Sequence, residues 1–247
     1  MSESMKVLGV AGPSDSGKTT TVAELASRLS AHGAVGTVKR LTHEPDIDTD
    51  GKDTARHRAA GSMYTVGLTD DGGWFGTGDQ RTLSDVLDDF AIECDYAIVE
   101  GFSDSHLPKV SLGDRPVTAP EVVTAASADD LDFDEVTDIV ETLPSYETPA
   151  SLVTALRGSV GTSASGSIAT STVLEAELAS TDNVETQVEA AERRLRSTDG
   201  IRDARVHRQQ SLFDEHDDLV YVVALADGPT RANEAIGEAL DQLVETV

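Results

Sequence analysis

Gly12-Pro13-Ser14-Asp15-Ser16-Gly17-Lys18-Thr19 sets two glycines, a lysine and a hydroxyl at the spacing GxxxxGK[ST]. Residues of these types at this spacing hold phosphate. Glycines permit a tight loop whose backbone N–H groups point at phosphate oxygens, and a following helix adds the positive end of its dipole. Gly12, Ser14, Asp15, Ser16 and Gly17 would line the anion, Lys18 would reach the outer phosphates, and the Thr19 hydroxyl would ligate Mg²⁺, with Thr20 the weaker neighbour. The plain alternative is a chance match, which at an average glycine usage of about 7% arises in roughly one chain in a hundred of this length.

The flanking pattern supplies the setting the motif needs. Lys6 to Ala11 is an apolar run that reads as a strand, and Thr19, Val22, Leu25, Ala26 and Leu29 recur at helical spacing. His32-Gly33 ends the helix, and Ala34 to Lys39 reads as a second strand. Strand, helix, strand makes a right-handed βαβ unit. The polar stretch from Arg40 to Gly61 then lies past a strand's carboxyl end, where open α/β sheets hold ligands. Lys39, Lys52 and Arg56 are the cations expected to face bound phosphates; a solvated surface loop is the alternative. For His43, Asp46, Asp48 and His57 taken singly, the surface reading outweighs a metal site.

Met63 to Leu68 reads as a third strand, Asp70 to Gly73 as a turn, and Leu83, Val86, Leu87 and Phe90 as a helix. Trp74 and Phe75 either pack under a loop or stack on a base. Asp95 to Phe102 is a buried strand ending in Glu100, where phosphate-loop enzymes keep the acid that holds Mg²⁺ or its water. Glu100 and Lys18 are therefore the catalytic candidates, and Thr19 and Glu100 the metal ligands; an acid that merely ends an apolar strand is the alternative for Glu100. Pro108 to Leu112, Glu121 to Ala125 and a helix through Val136, Ile139, Val140 and Leu143 complete the first unit.

The chain has 247 residues and a formal charge of −26, from 45 acidic against 19 basic residues. That field repels nucleic acid and anionic membranes, so any phosphate site must be built locally. The acids overlie ordinary folding patterns, which fits a surface adapted to concentrated salt. The start lacks a signal-peptide pattern and no apolar run has the length of a membrane span, so a cytoplasmic protein is expected. Cys94 alone makes no disulfide framework. The lysines are Lys6, Lys18, Lys39, Lys52 and Lys109, so those beside motifs stand out.

Residues 5 to 143 resemble the molybdopterin-guanine dinucleotide biosynthesis protein B family. The resemblance is carried by the phosphate loop, Lys39 with His43, Gly51-Lys52-Asp53-Thr54 followed by Arg56 and Ala60-Gly61, and Val99-Glu100-Gly101-Phe102 leading to Pro108-Lys109. Arg40 stands where the family carries histidine. The resemblance implies a P-loop adaptor that binds GTP and Mg²⁺, hydrolyses GTP weakly, and forms a homodimer. Its implied partners are molybdopterin or its molybdenum form and the guanylyltransferase that joins GMP to it. The residues themselves support a nucleotide and Mg²⁺ without naming the base, and an ATP-dependent small-molecule kinase is a competing class.

Residues 144–150, with two prolines, read as a linker, and 151–247 as a smaller α+β domain. Ser151 to Leu156 begins a helix, and Gly158 to Thr172 is either a flexible link or strands with loops. A helix follows through Val184, Val188, Ala191 and Leu195, then strands at Ala204 to Arg208 and Leu219 to Leu225, and a last helix through Ala235 to Leu243. This part is similar to the large subunit of molybdopterin synthase through that helix, His207-Arg208, the apolar strand and Arg231-Ala232. The resemblance implies a surface for the small sulfur-carrier subunit, with His207, Arg208 and Arg231 as an anion site. No lysine follows Lys109, so the sulfur-transfer step that the family's lysines carry out is not expected here. The fold class expected is α/β: a P-loop, mostly parallel sheet with helices on both faces, then the α+β domain.

Overall fold

Two sheets carry the chain in a computed structural model that describes residues 4–42, 53–159, 165–178, 183–213 and 217–244. The first is built on β1 (Met5–Ala11), β2 (Val35–Lys39), β5 (Tyr96–Glu100), β6 (Lys109–Leu112) and β7 (Glu121–Ala125), all parallel in the order β2-β5-β1-β6-β7. Side chains alternate along a strand. Leu8, Val10, Tyr96 and Ile98 face α1 (Lys18–Leu29) and α4 (Phe133–Thr142), packing on Leu25, Leu29, Val136 and Val140. Met5, Val7, Ala97 and Val99 face the other way, towards Leu83 and Leu87 of α3 (Leu83–Glu93). With both faces covered, β1 and β5 must be apolar throughout, which is why they read as continuous hydrophobic runs.

Two of the helices that cover this sheet begin on acids. Thr82 and Asp85 form a reciprocal capping box at the start of α3, and the Asp132 carboxylate accepts from the Asp134 and Glu135 amides at the start of α4. The Cys94 thiol is half-buried against the α3 core, and burial raises its pKa.

Between β2 and α3 the chain departs from the expected pattern. A short helix, α2 (Asp53–Ala59), leads to β3 (Tyr64–Leu68), which among the described residues pairs only with β4 (Trp74–Gly78), in a separate two-stranded ribbon. Tyr64, Val66, Leu68 and Trp74 are exposed there, Leu68 at 75% and Trp74 at 72%. Trp74 and Phe75 are exposed and belong to neither core, so the packing expected for them under a loop is not seen. The expected turn at Asp70 to Gly73 is present, with Gly72 at φ 88°.

The second sheet is antiparallel, in the order β10-β11-β9, from β9 (Ser167–Leu174), β10 (Ile201–Gln209) and β11 (Leu219–Ala226). Val220, Val222 and Ala224 face α6 (Val184–Ser197) and α7 (Pro229–Leu243), while Tyr221, Val223 and Leu225 face α5 (Pro149–Ser159). The Ser/Thr-rich stretch thus resolves into a strand at its described end.

The expected linker is structured. β8 (Ser145–Tyr146) pairs antiparallel with Met5 and Lys6 of β1, the Tyr146 hydroxyl donates to Asp88, and Glu147 is buried. In return Leu212 packs into the α3 side of the first sheet, and its carbonyl accepts from the His106 amide.

Burial raises the Glu147 carboxyl from 4.5 to about 7, against the Ser151 hydroxyl bond and the Lys6 charge, which pull it down. The folded chain keeps this proton where the unfolded chain has released it. Its contribution is therefore complete below the ordinary carboxylate pKa and is lost as pH rises through about 7. Urea midpoints at fixed salt are expected to fall for the wild type relative to Glu147→Gln between pH 5 and 8; parallel profiles would refute the assignment.

Candidate functional site

Adjacency of β1 and β5 brings the site together. Val10 lies beside Glu100 in register, so the loop leaving β1 and the acid ending β5 share one edge of the sheet. Lys39 lies beside Glu100 on the other side, at the end of β2. The order β2-β5-β1 thus gathers Thr19, Glu100 and Lys39 from three places in the sequence.

The loop has the backbone that phosphate binding needs. Asp15 and Gly17 are left-handed, with φ 61° and 92°. A Cβ on Gly17 would stand 2.5 Å from the Ala128 methyl, and one on Gly12 2.6 Å from the Leu112 carbonyl oxygen, so neither position accepts a side chain. The Ser16 hydroxyl donates to the Pro13 carbonyl at 3.0 Å, and the buried Thr21 hydroxyl donates to the Gly17 carbonyl at 3.1 Å, closing the loop onto the helix. Gly17 caps α1 without a side chain, and no acid lies in the first turn. The first N–H groups of a helix have no partner within it, so α1 offers uncapped donors where α3 and α4 offer donors already taken by acids.

Around that end, Thr19 Oγ1 donates to Glu100 at 3.1 Å, and the Lys39 ammonium lies 3.1 Å from Thr19 Oγ1 and 2.9 Å from Glu100 Oε1. Glu100 is buried at 6% exposure, while the Lys39 side chain is half exposed. Lys18 turns back on its own loop and donates to the Pro13 carbonyl. Ser14, Asp15 and Thr20 are exposed at the rim. The residues present fit a magnesium nucleotide: a cradle that admits no Cβ, unpaired amides, and a hydroxyl beside a carboxylate as hard oxygen donors.

Of the other expected cations, Arg56 is not part of this cluster. Arg56 is exposed on α2, 3.8 Å from Asp53. Lys52 lies outside the described residues, as do His43, Asp46 and Asp48. Arg40 pairs with Asp104 at 2.8 Å and stacks over Phe102 at 5.3 Å, bracing the loop after β5 from the position where the resembling family carries histidine. Sequence reasoning missed this brace; the facing signs of Arg40 and Asp104 were its only trace.

Lys109 has a structural placement. It is fully buried and donates to the carbonyls of Ser105, Leu107 and Thr118, the last two at 2.8 and 2.9 Å. Burial pushes its ammonium down to about 8, against Asp104 and Glu121, which hold it up. It ties the loop from Gly101 to Thr118 behind the phosphate loop.

The three residues expected to form an anion site in the second domain are not brought together. His207 is neutral: burial drives its pKa down to about 4, aided by the Lys6 charge and opposed by a Gln209 hydrogen bond. Arg208 is surrounded by Glu175 at 2.5 Å, Asp218 at 3.0 Å and Glu185 at 3.6 Å, leaving no net positive charge to offer. Arg231 packs against Gly200 at the opposite end of β10 and reaches Glu234 and Glu238. A cavity of about 850 Å³ lies between α6 and β10 and the amino ends of the first sheet, away from the phosphate loop. Among the described residues no helix is long and apolar enough to cross a membrane, and no cluster of three or more His, Cys, Asp or Glu could hold a metal ion.

Comparison with known proteins places residues 7–131 within the family described as Molybdopterin guanine dinucleotide synthesis protein B. A Haloferax volcanii protein named "Probable molybdopterin synthase" is 31% identical over 98% of this chain and 93% of its own length. A Haemophilus influenzae protein named "Molybdopterin-guanine dinucleotide biosynthesis adapter protein" is 32% identical over 49% of this chain and 70% of its own. Among solved structures, Bacillus subtilis MobB matches 56% of this chain and 97% of its own at 24% identity, with a TM-score of 0.42.

Lys109→Met should leave three loop carbonyls without their shared donor. A loss of about 3 kcal/mol in unfolding free energy is expected, the scale of breaking a buried charged partner; an unchanged urea midpoint would place the ammonium elsewhere.

Proposed function

The chain belongs to the molybdopterin guanine dinucleotide synthesis protein B family, and from that premise we propose that it is a nucleotide-binding adaptor in molybdenum cofactor biosynthesis. It binds GTP with Mg²⁺, hydrolyses it slowly, and assists the guanylyltransferase that converts molybdopterin to its guanine dinucleotide form. The observation that carries this reading is the uncapped start of α1 facing the Thr19, Glu100 and Lys39 cluster. The names of the relatives support the pathway.

The chain's own groups divide the work. The amides from Ser14 to Thr19 bind the phosphates, and Lys18 leaves the Pro13 carbonyl to neutralise the outer ones. Thr19 and Glu100 would hold Mg²⁺, which when bound offsets charge on the phosphate oxygens. Slow hydrolysis fits the described site, because a Glu100 that holds Mg²⁺ beside Thr19 would be a metal ligand rather than a base free to take a proton from water. The exposed apolar ribbon of β3 and β4 supports a homodimer.

A second reading rests on the Haloferax volcanii relative, whose match runs through the second domain. Residues 151–247 would then act as a scaffold for the small sulfur-carrier subunit or as synthase. Pull-down with that subunit and rescue of a synthase-deficient strain test it, and failure of both rejects it.

In concentrated salt with Mg²⁺, the chain is expected to bind GTP more tightly than ATP by calorimetry. Lys18→Ala should abolish binding while leaving the circular dichroism spectrum intact. GTP affinity unchanged in Lys18→Ala removes the phosphate loop from the function, and an ATP preference with turnover of a metabolite turns the reading to a kinase.

A further inference from the structure

Thr19 Oγ1 and Glu100 Oε1 lie 3.1 Å apart, and the Lys39 ammonium sits within 3.1 Å of both. A hydroxyl and a carboxylate at that spacing are hard-cation ligands, and the place they share is already held by a positive charge. Glu100 is 6% exposed, and a buried carboxylate without a counter-charge is costly. In the ligand-free chain Lys39 supplies that counter-charge. It does so from the last position of β2, on a flexible stem that is half in solvent, so its ammonium can move without moving the strand.

We propose that Lys39 is a place-holder for Mg²⁺: its ammonium occupies the metal position in the nucleotide-free chain and moves to a phosphate oxygen when the metal arrives with nucleotide. This rests on the nucleotide reading above. The exchange keeps Glu100 paired throughout, since one cation enters as the other leaves. Free Mg²⁺ must evict the ammonium and offers it no new partner, whereas a magnesium nucleotide brings phosphate oxygens for it. Metal and nucleotide therefore bind cooperatively, and each raises the affinity for the other by the same factor. The loop thereby avoids capturing free divalent cations in a chain whose charge of −26 concentrates them.

The test uses Mn²⁺ as the probe, read from its free electron paramagnetic resonance signal in the nucleotide-free full chain at fixed high salt. Lys39→Gln keeps an N–H donor for Glu100 without the charge, and should bind one Mn²⁺ at least about tenfold more tightly than the wild type. Lys39→Arg, which keeps the charge, should stay at the wild-type value. The gain should vanish in the Lys39→Gln, Glu100→Gln double variant, which separates this position from the acidic surface. Lys39→Met gives the same reading should the glutamine variant fail to fold. Equal Mn²⁺ binding by the wild type and the neutral variants, or a gain that survives Glu100→Gln, overturns the proposal. A nucleotide titration of the same samples is scored separately: no nucleotide binding with the Mn²⁺ gain present rejects the nucleotide reading alone, and nucleotide binding with no Mn²⁺ gain rejects the place-holder alone.

Discussion

A buried carboxylate, Glu100, at the end of the strand next to the phosphate loop governs the arrangement at the carboxyl edge of the first sheet. In a chain with 45 acids most carboxylates sit in solvent and cost nothing to keep ionised. Glu100 cannot, so it must be matched by a hydrogen-bond donor and a counter-charge. Thr19 supplies the first and Lys39 the second, and each can do so only because β5 runs between β1 and β2. Strand order, rather than the loop motif alone, makes the site.

Acid load shapes the rest of the molecule in a consistent way. Carboxylates cap α3 and α4, and they surround guanidinium groups such as Arg208 and Arg231. Most exposed pairs of this kind contribute little individually and are screened by salt. They also bear on anion binding, because among the described residues they occupy many of the guanidinium groups that could otherwise meet an anion. The start of α1 is free of acid in its first turn, and among the described residues Lys18 there is held by a neutral carbonyl rather than by a carboxylate.

Elements whose cores follow one period were legible in the sequence. The apolar runs of β1 and β5, the 3.6-residue stripes of α1, α4 and α6, and the turn at Gly72 all stand where pattern placed them. Residue types alone could not supply what depends on distant partners. Sequence neighbours suggest β1 beside β2, yet β5 intervenes. Tyr64, Val66 and Leu68 alternate like an inward face and point outward, because β3 and β4 form a ribbon with no helix packed over it from either core. His207-Arg208 reads as a basic pair, but Glu175 lies 33 positions upstream and Asp218 10 positions downstream, and both are needed to see that the charge is spent. Lys109 was conspicuous among few lysines; its three carbonyl partners belong to a loop with no repeating pattern.

The two-residue strand β8 has a bearing on how the chain can be divided. It hydrogen-bonds to β1 from the segment that joins the two units, while Leu212 reaches back from the second unit into the first unit's core. A cut placed at the proline-rich boundary would therefore remove one strand and one core residue from the piece meant to stand alone. The two units share material across the seam, and a split at that point would have to replace Tyr146 and Leu212 with new cover for Met5 and Val7.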